Sequence, residues 1–543
     1  MSSSLPPHRP RRVPLSLAIV AFVGCGVAAT SLRMLAGCSS DPPRDTTGTS
    51  GTAGSSGNPG DAGEVDGASA LADAASPGLV FTATSSLDAL ALDGIESFRV
   101  AYDLENRGTI ARTLTRSPLA FVSEGGYTMF VNDSVVDGKT FFGAPLALAA
   151  GGHAKGNLSF YWSTPVTHAH FRIDAVDATG ATSTAILPVP IVRQGFAGPP
   201  AVPSDDAYVA VMGPLETVRL ASGQSWLTIV GQVVATSRDT ASVRKLRLVL
   251  KDSAGRTVDD RDVTSKVVLG GPKGLASFLD AFAVPESFVT GSVDAEVDVR
   301  VGTESRTLTR SFDVGRGVPT VLAPPLAGVA SWANGQGETV LHTHFQYPEQ
   351  RYAYDLVMFR DVGSARATHD GDATKNASYF VWGAPIRAVA AGTVVDVVDD
   401  VPDNDGTVTN AANSPMRNSK VIVEHADGGT KRWSMYAHVR KGSAKVKVGD
   451  VVRAGDVLAE VGNAGFSTEP HLHLAYYTLD ASGRVRALPM AFPGLSPYVP
   501  PAADGGIDAA TVDASDGAVD GAATDAATAT VGVPHGRTEY TAP

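Results

Sequence analysis

His471 and His473 stand two residues apart behind a glycine-rich turn, Gly462-Asn463-Ala464-Gly465-Phe466-Ser467-Thr468-Glu469-Pro470. On a strand, side chains alternate between faces, so the two imidazoles project to one side. Delivered together by a rigid turn, they can supply one metal ligand and one proton-handling neighbour. A second His-x-His, at His168 and His170, shows how little the spacing proves. There His168, His170, Arg172 and Asp174 form one face of an alternating strand, with Phe171 and Ile173 on the other. No further carboxylate or histidine motif stands nearby in sequence, and this pair reads as polar residues turned to solvent.

The elements that must position His471 and His473 read as short strands. Residues 383–395 give strand, glycine turn, strand; 420–425 give another, closed by Asp427-Gly428-Gly429; Met435-Tyr436-Ala437-His438 lies on the next. Residues 446–462 then form two hairpin units in tandem. A lipoyl carrier uses similar hairpins but needs a lysine at a tip, where this chain has Gly449-Asp450 and Gly455-Asp456. Upstream, alternating apolar runs at 98–104, 158–162, 226–233, 246–250 and 293–299 imply short strands with regular turn signals. The predicted fold is mostly β. Two immunoglobulin-like β-sandwiches (78–195 and 203–316) precede an antiparallel β domain (322–499). A flexible Gly/Ser/Ala/Asp-rich linker spans 39–77, and 500–543 reads as a disordered acidic tail of Asp-Ala and Asp-Gly units.

The N-terminus predicts export. Arg9, Arg11 and Arg12 precede an apolar run at 13–29, the pattern of a secretory signal. Leu35-Ala36-Gly37-Cys38 resembles a lipobox, which makes Cys38 the lipid-modified first residue of the mature chain. Cys25 is a rival cleavage site, and an uncleaved anchor is a third outcome. Both cysteines of the 543-residue chain lie in this segment, so the exported body carries no disulfide. The net charge of −12 is spread over tails and loops, which argues against a nucleic-acid partner. A monomer is expected.

Taken in order, Gln350-Arg351-Tyr352-Ala353-Tyr354-Asp355, the Ala-Pro-Ile…Ala-Gly-Thr-Val unit, Tyr436-Ala437-His438, the tandem hairpins and Ser467-Thr468-Glu469-Pro470-His471-Leu472-His473 resemble the lysostaphin-type (LytM-like) zinc metallopeptidases, which cleave peptidoglycan cross-links. The resemblance covers 344–476. It implies Asp355 and His473 as zinc ligands and His438 and His471 as the histidines that flank the attacking water. The family's first zinc histidine falls at Arg351, and an arginine stays protonated and cannot ligate. In the divergent Gln-Arg-Tyr-Ala branch a histidine about eleven residues upstream of the Asp fills that vacancy, which implies His344, with His342 as the alternative.

Zinc acidifies water to a pKa of about 7, and His438 and His471 would accept and return the proton. The expected activity is hydrolysis of peptidoglycan peptide bonds. A degenerate groove that binds wall peptide or regulates another hydrolase is the alternative. The expected location is the cell envelope, with the lipid anchor in the outer membrane if the cell is Gram-negative. His425 reads as structural or surface. The carboxylates Asp399, Asp400, Asp403 and Asp405 match no calcium-loop spacing, and Asn418 resembles a position that orients ligand or substrate.

Overall fold

The computed structural model describes residues 79–89, 92, 96–116, 119–132, 147–162, 166–203, 205–220, 223–236, 241–268, 274–332, 344, 349–362, 365–407, 418–427, 429–497, 530–532 and 538–542. Among them the regular structure is strand, apart from single 3₁₀ turns at Glu124–Gly126, Thr264–Lys266 and Asn376–Ser378. Cys25, Cys38, the 39–77 linker and His342 lie outside the described residues.

Three apolar cores follow one another along the chain. In the first, a three-stranded sheet of Leu79–Ala89, Glu96–Asn106 and His153–Trp162 shares its core with a six-stranded sheet built around His168–Asp177. Phe98, Val100 and Leu104 from one sheet meet Leu114, Phe121 and Ile173 from the other. One expectation fails here. His168 is buried, not turned to solvent, and Arg484 of the third block lies close enough to act on it electrostatically.

The second block is a nine-stranded sheet that is continuous where two separate sheets were expected. Its two limbs are joined by parallel pairing of Leu215–Arg219 with Glu304–Arg316. The sheet folds over itself, so Leu246, Leu248 and Val297 share a core with Ile229, Phe278 and Phe282.

The third block carries a twelve-stranded sheet. Its centre runs Gly328–Trp332, Tyr354–Val357, Leu472–Leu479, Thr430–Ala437, Lys420–Asp427 and Gly392–Val398, each antiparallel to the next. Alternation sends Tyr354, Leu356, Leu472, Leu474 and Tyr436 into the core beneath. Asp355 and His473 therefore go to the opposite face. Within the stretch expected to be a disordered tail, Thr530–Gly532 and Thr538–Ala542 add strands to this sheet. The Thr and Tyr residues at 538–541 favour extended backbone, unlike the Asp-Ala repeats before them.

The blocks are docked through polar and apolar contacts. Gln232 bonds both the N–H and the carbonyl of Thr128 at 2.9 Å. Tyr127, Tyr208, Met212 and Val230 pack between the first and second blocks. Val218 and Leu220 of the second pack against Tyr352, Ala487 and Ala491 of the third.

Candidate metal centre

The register of the central strands assembles the site. Asp355 pairs directly with His473 on one side, and Ala437, the residue before His438, pairs with His473 on the other. One carboxylate thus gathers imidazoles from separate parts of the chain. His473 Nδ1 lies 3.0 Å from Asp355 Oδ1, His471 Nε2 lies 3.5 Å from the same oxygen, and His344 Nε2 lies 3.4 Å from Oδ2. The rings of His344 and His473 meet edge to face at 4.7 Å, and those of His438 and His471 stand 4.6 Å apart.

The donor atoms of His344, Asp355 and His473 all fall within 4.8 Å of one another. A tetrahedral ion with bonds near 2.0–2.1 Å separates its ligands by roughly 3.3 Å, so the spacing suits three protein ligands on one small ion. Arg351 is remote from this chemistry. Its guanidinium is buried and donates to Met212 O, Pro214 O and Thr228 O in the second block.

Two further imidazoles are oriented by the backbone. His438 follows its strand with φ of 61°, the one positive φ outside glycine among the described residues. Such a conformation costs about 1–3 kcal/mol and persists only where its surroundings fix it. Here its N–H bonds Ser419 O, and its own carbonyl accepts the N–H of Gly462. Gly462 must be glycine, because a Cβ there would meet Arg440 Cα at 2.4 Å. His438 Nδ1 donates to Ala464 O at 2.9 Å and His471 Nδ1 to Glu469 O at 2.7 Å. Each therefore keeps Nε2 as its acceptor.

Electrostatics divide the labour. Burial alone would raise the Asp355 pKa, but His344, His471 and His473 around it hold the carboxylate well below its usual range. Burial, then His471 and His473, push His438 well below the ordinary imidazole value. The shift favours its neutral form, with Nε2 unprotonated. The arrangement is an ionised carboxylate among imidazoles, with a neutral base beside them.

The remaining polar residues are mostly scaffolding. His425 Nδ1 donates to Ala391 O and its Nε2 accepts from Ser434. Ser434 in turn meets the Tyr436 hydroxyl, which accepts the Val389 N–H, so the chain of bonds is closed within the core. In the acidic loop, Asp403 accepts the N–H groups of Lys441 and Asn463, and Asp399 accepts that of Ala444. Asn418 accepts the Phe466 N–H and so holds the glycine-rich turn.

Sequence reasoning missed a buried asparagine cluster beneath that turn. Asn404 donates to Gly465 O and Ser467 O, and Asn463 donates to Gly406 O and Asn376 Oδ1. Asn463 stands inside the motif itself, but nothing in its spacing announces partners some sixty or ninety positions upstream.

Residues 378–484 match Peptidase family M23, a span that includes His438, His471 and His473 and begins after Asp355. A glycyl-glycine endopeptidase of Staphylococcus capitis is 34% identical over 110 residues, 20% of this chain and 26% of that protein. A Haemophilus influenzae protein described as an uncharacterized metalloprotease is 32% identical over 165 residues, 30% of each chain. The chain thus spans less than a third of the length of these relatives. Among solved structures, the lysostaphin catalytic domain of Staphylococcus simulans aligns with a TM-score of 0.16 at 19% identity, over 30% of this chain and 85% of that one. By family match, motif order and strand register together, residues 378–484 constitute a Peptidase family M23 domain of the LytM/lysostaphin type.

Proposed function

We propose that the protein is a zinc-dependent endopeptidase that hydrolyses peptide cross-links of bacterial peptidoglycan. The observation that carries this is Asp355 held between His344 and His473 with His438 and His471 alongside. His344, Asp355 and His473 would hold the ion, with His344 in the place that Arg351 cannot fill. Bound zinc supplies a Lewis acid for the scissile carbonyl and lowers the pKa of an attacking water. His438, kept neutral by burial and by its histidine neighbours, would offer Nε2 as the proton acceptor beside the ion. The proton that His438 takes up is the one returned to the leaving amine, while His471, with Nδ1 committed to Glu469 O, turns Nε2 toward the same site.

A binding-only groove has no need of a neutral base beside a three-ligand set, which favours hydrolysis over passive wall binding. With Cys38 lipidated, the enzyme would sit in the cell envelope, in the outer membrane if the cell is Gram-negative, with the 39–77 linker as tether. Its partners are wall peptide and membrane, and it acts as a monomer. The test is zinc content and peptide release by the full chain on purified peptidoglycan, read by mass spectrometry. One zinc per chain, with release stopped by chelation and restored by zinc, is expected. Stoichiometric zinc without release leaves the wall-binding reading instead, and absence of zinc after reconstitution overturns the metal centre.

A further inference from the structure

The run that carries Asp355 is gripped from outside its own sheet. Arg351 donates through Nη1 to Met212 O at 3.2 Å and Pro214 O at 2.7 Å, and through Nη2 to Thr228 O at 2.9 Å. Met212 and Pro214 lie in the turn after Ala207–Val211, and Thr228 lies on Ser225–Ala235. A buried guanidinium is costly unless its N–H groups find acceptors. Acceptors on two separate elements fix the planar fork in one orientation.

The next residue repeats the grip. Tyr352 is buried against Val218 and Leu220, with its hydroxyl 3.4 Å from Glu216 Oε2. Arg486 of the third block pairs with the same Glu216 carboxylate. After Ala353 the chain enters the four-residue strand Tyr354–Val357, which pairs with Leu472–Leu479 only through Tyr354, Asp355 and Leu356. On its other edge Leu356 and Val357 pair with Trp332 and Ser331. Arg351 and Tyr352 hold the residues just before the strand.

We propose that the second β block is a working part of the metal centre, with Arg351 as a positioning residue. Through the carbonyls of Met212, Pro214 and Thr228 it sets where Asp355 presents its carboxylate to His344 and His473. The inference rests on the reading of that cluster as the metal site. It makes the arginine at the position where the family pattern places a zinc histidine a structural substitute: the direct ligand is exchanged for an anchor four residues upstream of Asp355. Other contacts between blocks, such as Arg484 with Glu124, do not touch this run and give a control.

The test compares Arg351→Met and Arg484→Met in the full chain. Zinc affinity is measured by competition with a chromogenic chelator, ligand geometry from the visible spectrum of the cobalt-substituted protein, and kcat and KM on wall peptides. Arg351→Met is expected to weaken zinc by about 10- to 100-fold, shift the cobalt bands and lower kcat with little change in KM. Arg484→Met is expected to lower the melting temperature and leave all three intact. Arg351→Lys should recover only part of the loss, because one ammonium cannot span the three carbonyls; it also serves should the methionine variant not fold. If Arg351 variants keep wild-type zinc affinity, cobalt spectrum and kcat while only melting lower, Arg351 is an interface residue and the proposal fails, with the metal centre untouched. If the wild-type chain binds no zinc, the metal-site reading falls first and this proposal with it.

Discussion

His168–His170 and His471–His473 have the same spacing and opposite surroundings. Facing His168 across the sheet are Val122 and Pro190, and facing His170 are Ala120 and Pro188. Those neighbours offer no side-chain ligand. Facing His473 are Asp355 and Ala437, the latter one residue before His438. At the first pair, burial and nearby Arg484 push the His168 pKa down to about 4. At the second, imidazoles converge on one carboxylate. A His-x-His becomes a candidate site through its cross-strand partners, which strand register supplies and sequence spacing does not.

The comparison breaks most visibly if the two pairs respond alike to substitution. Asp355→Ala or His473→Ala is expected to abolish zinc binding and bring hydrolysis below detection. The double variant His168→Leu/His170→Ala should leave zinc content intact and activity within about twofold. Loss of zinc in that double variant would mean that the first block holds a metal, against its apolar register. One step smaller, His438→Ala and His471→Ala should keep the ion and lower kcat by about 10²- to 10⁴-fold, the usual worth of a general acid or base. Zinc loss in either would move that histidine into the ligand set.

Much of this was legible in the sequence, for definite reasons. Strand alternation exposed the mostly β character, spacing singled out His471 and His473, and the family resemblance joined Asp355 and His438 to them. His344 was legible through the same resemblance, since no local pattern links it to Asp355. Long-range packing was invisible. Nothing in Arg351 announces three carbonyls in another block, and nothing in His168 announces its burial near Arg484. The continuity of the second sheet was hidden too, because parallel pairing of Leu215–Arg219 with Glu304–Arg316 joins strands at opposite ends of that block.

The buried His168 gives the comparison a pH dependence. Above pH 6.5 the imidazole is neutral in both folded and unfolded chains, and its full contribution to stability is present. Between 6.5 and about 4 the unfolded chain takes up a proton that the folded site refuses. Stability therefore falls as pH falls through that window, by at most on the order of 3 kcal/mol. His425 and His438 are also shifted down, so the measure is a difference. Denaturation of wild type and His168→Leu at pH 7.5 and pH 5 should show the variant losing less on acidification. Equal losses would mean that His168 is solvated, as its spacing alone suggests.

The smallest effects lie beneath the glycine-rich turn, where two asparagines do unequal work. Asn404 is buried and its amide satisfies the carbonyls of Gly465 and Ser467. Asn404→Ala leaves both without their donor, which costs between about 1 and 3 kcal/mol. Asn418 is only half-buried and accepts one N–H, from Phe466. Water can replace that bond, so Asn418→Ala should cost about 1 kcal/mol or less. The chemistry should follow the same order. Ala464, whose carbonyl orients His438, lies just before the segment that Asn404 holds. Loosening that segment frees the His438 ring, so kcat should fall further in Asn404→Ala than in Asn418→Ala while zinc content stays constant. Urea melts and kcat for the two variants check both halves. A reversed order would mean that Asn418 acts on substrate directly, which its contact with the turn alone does not explain.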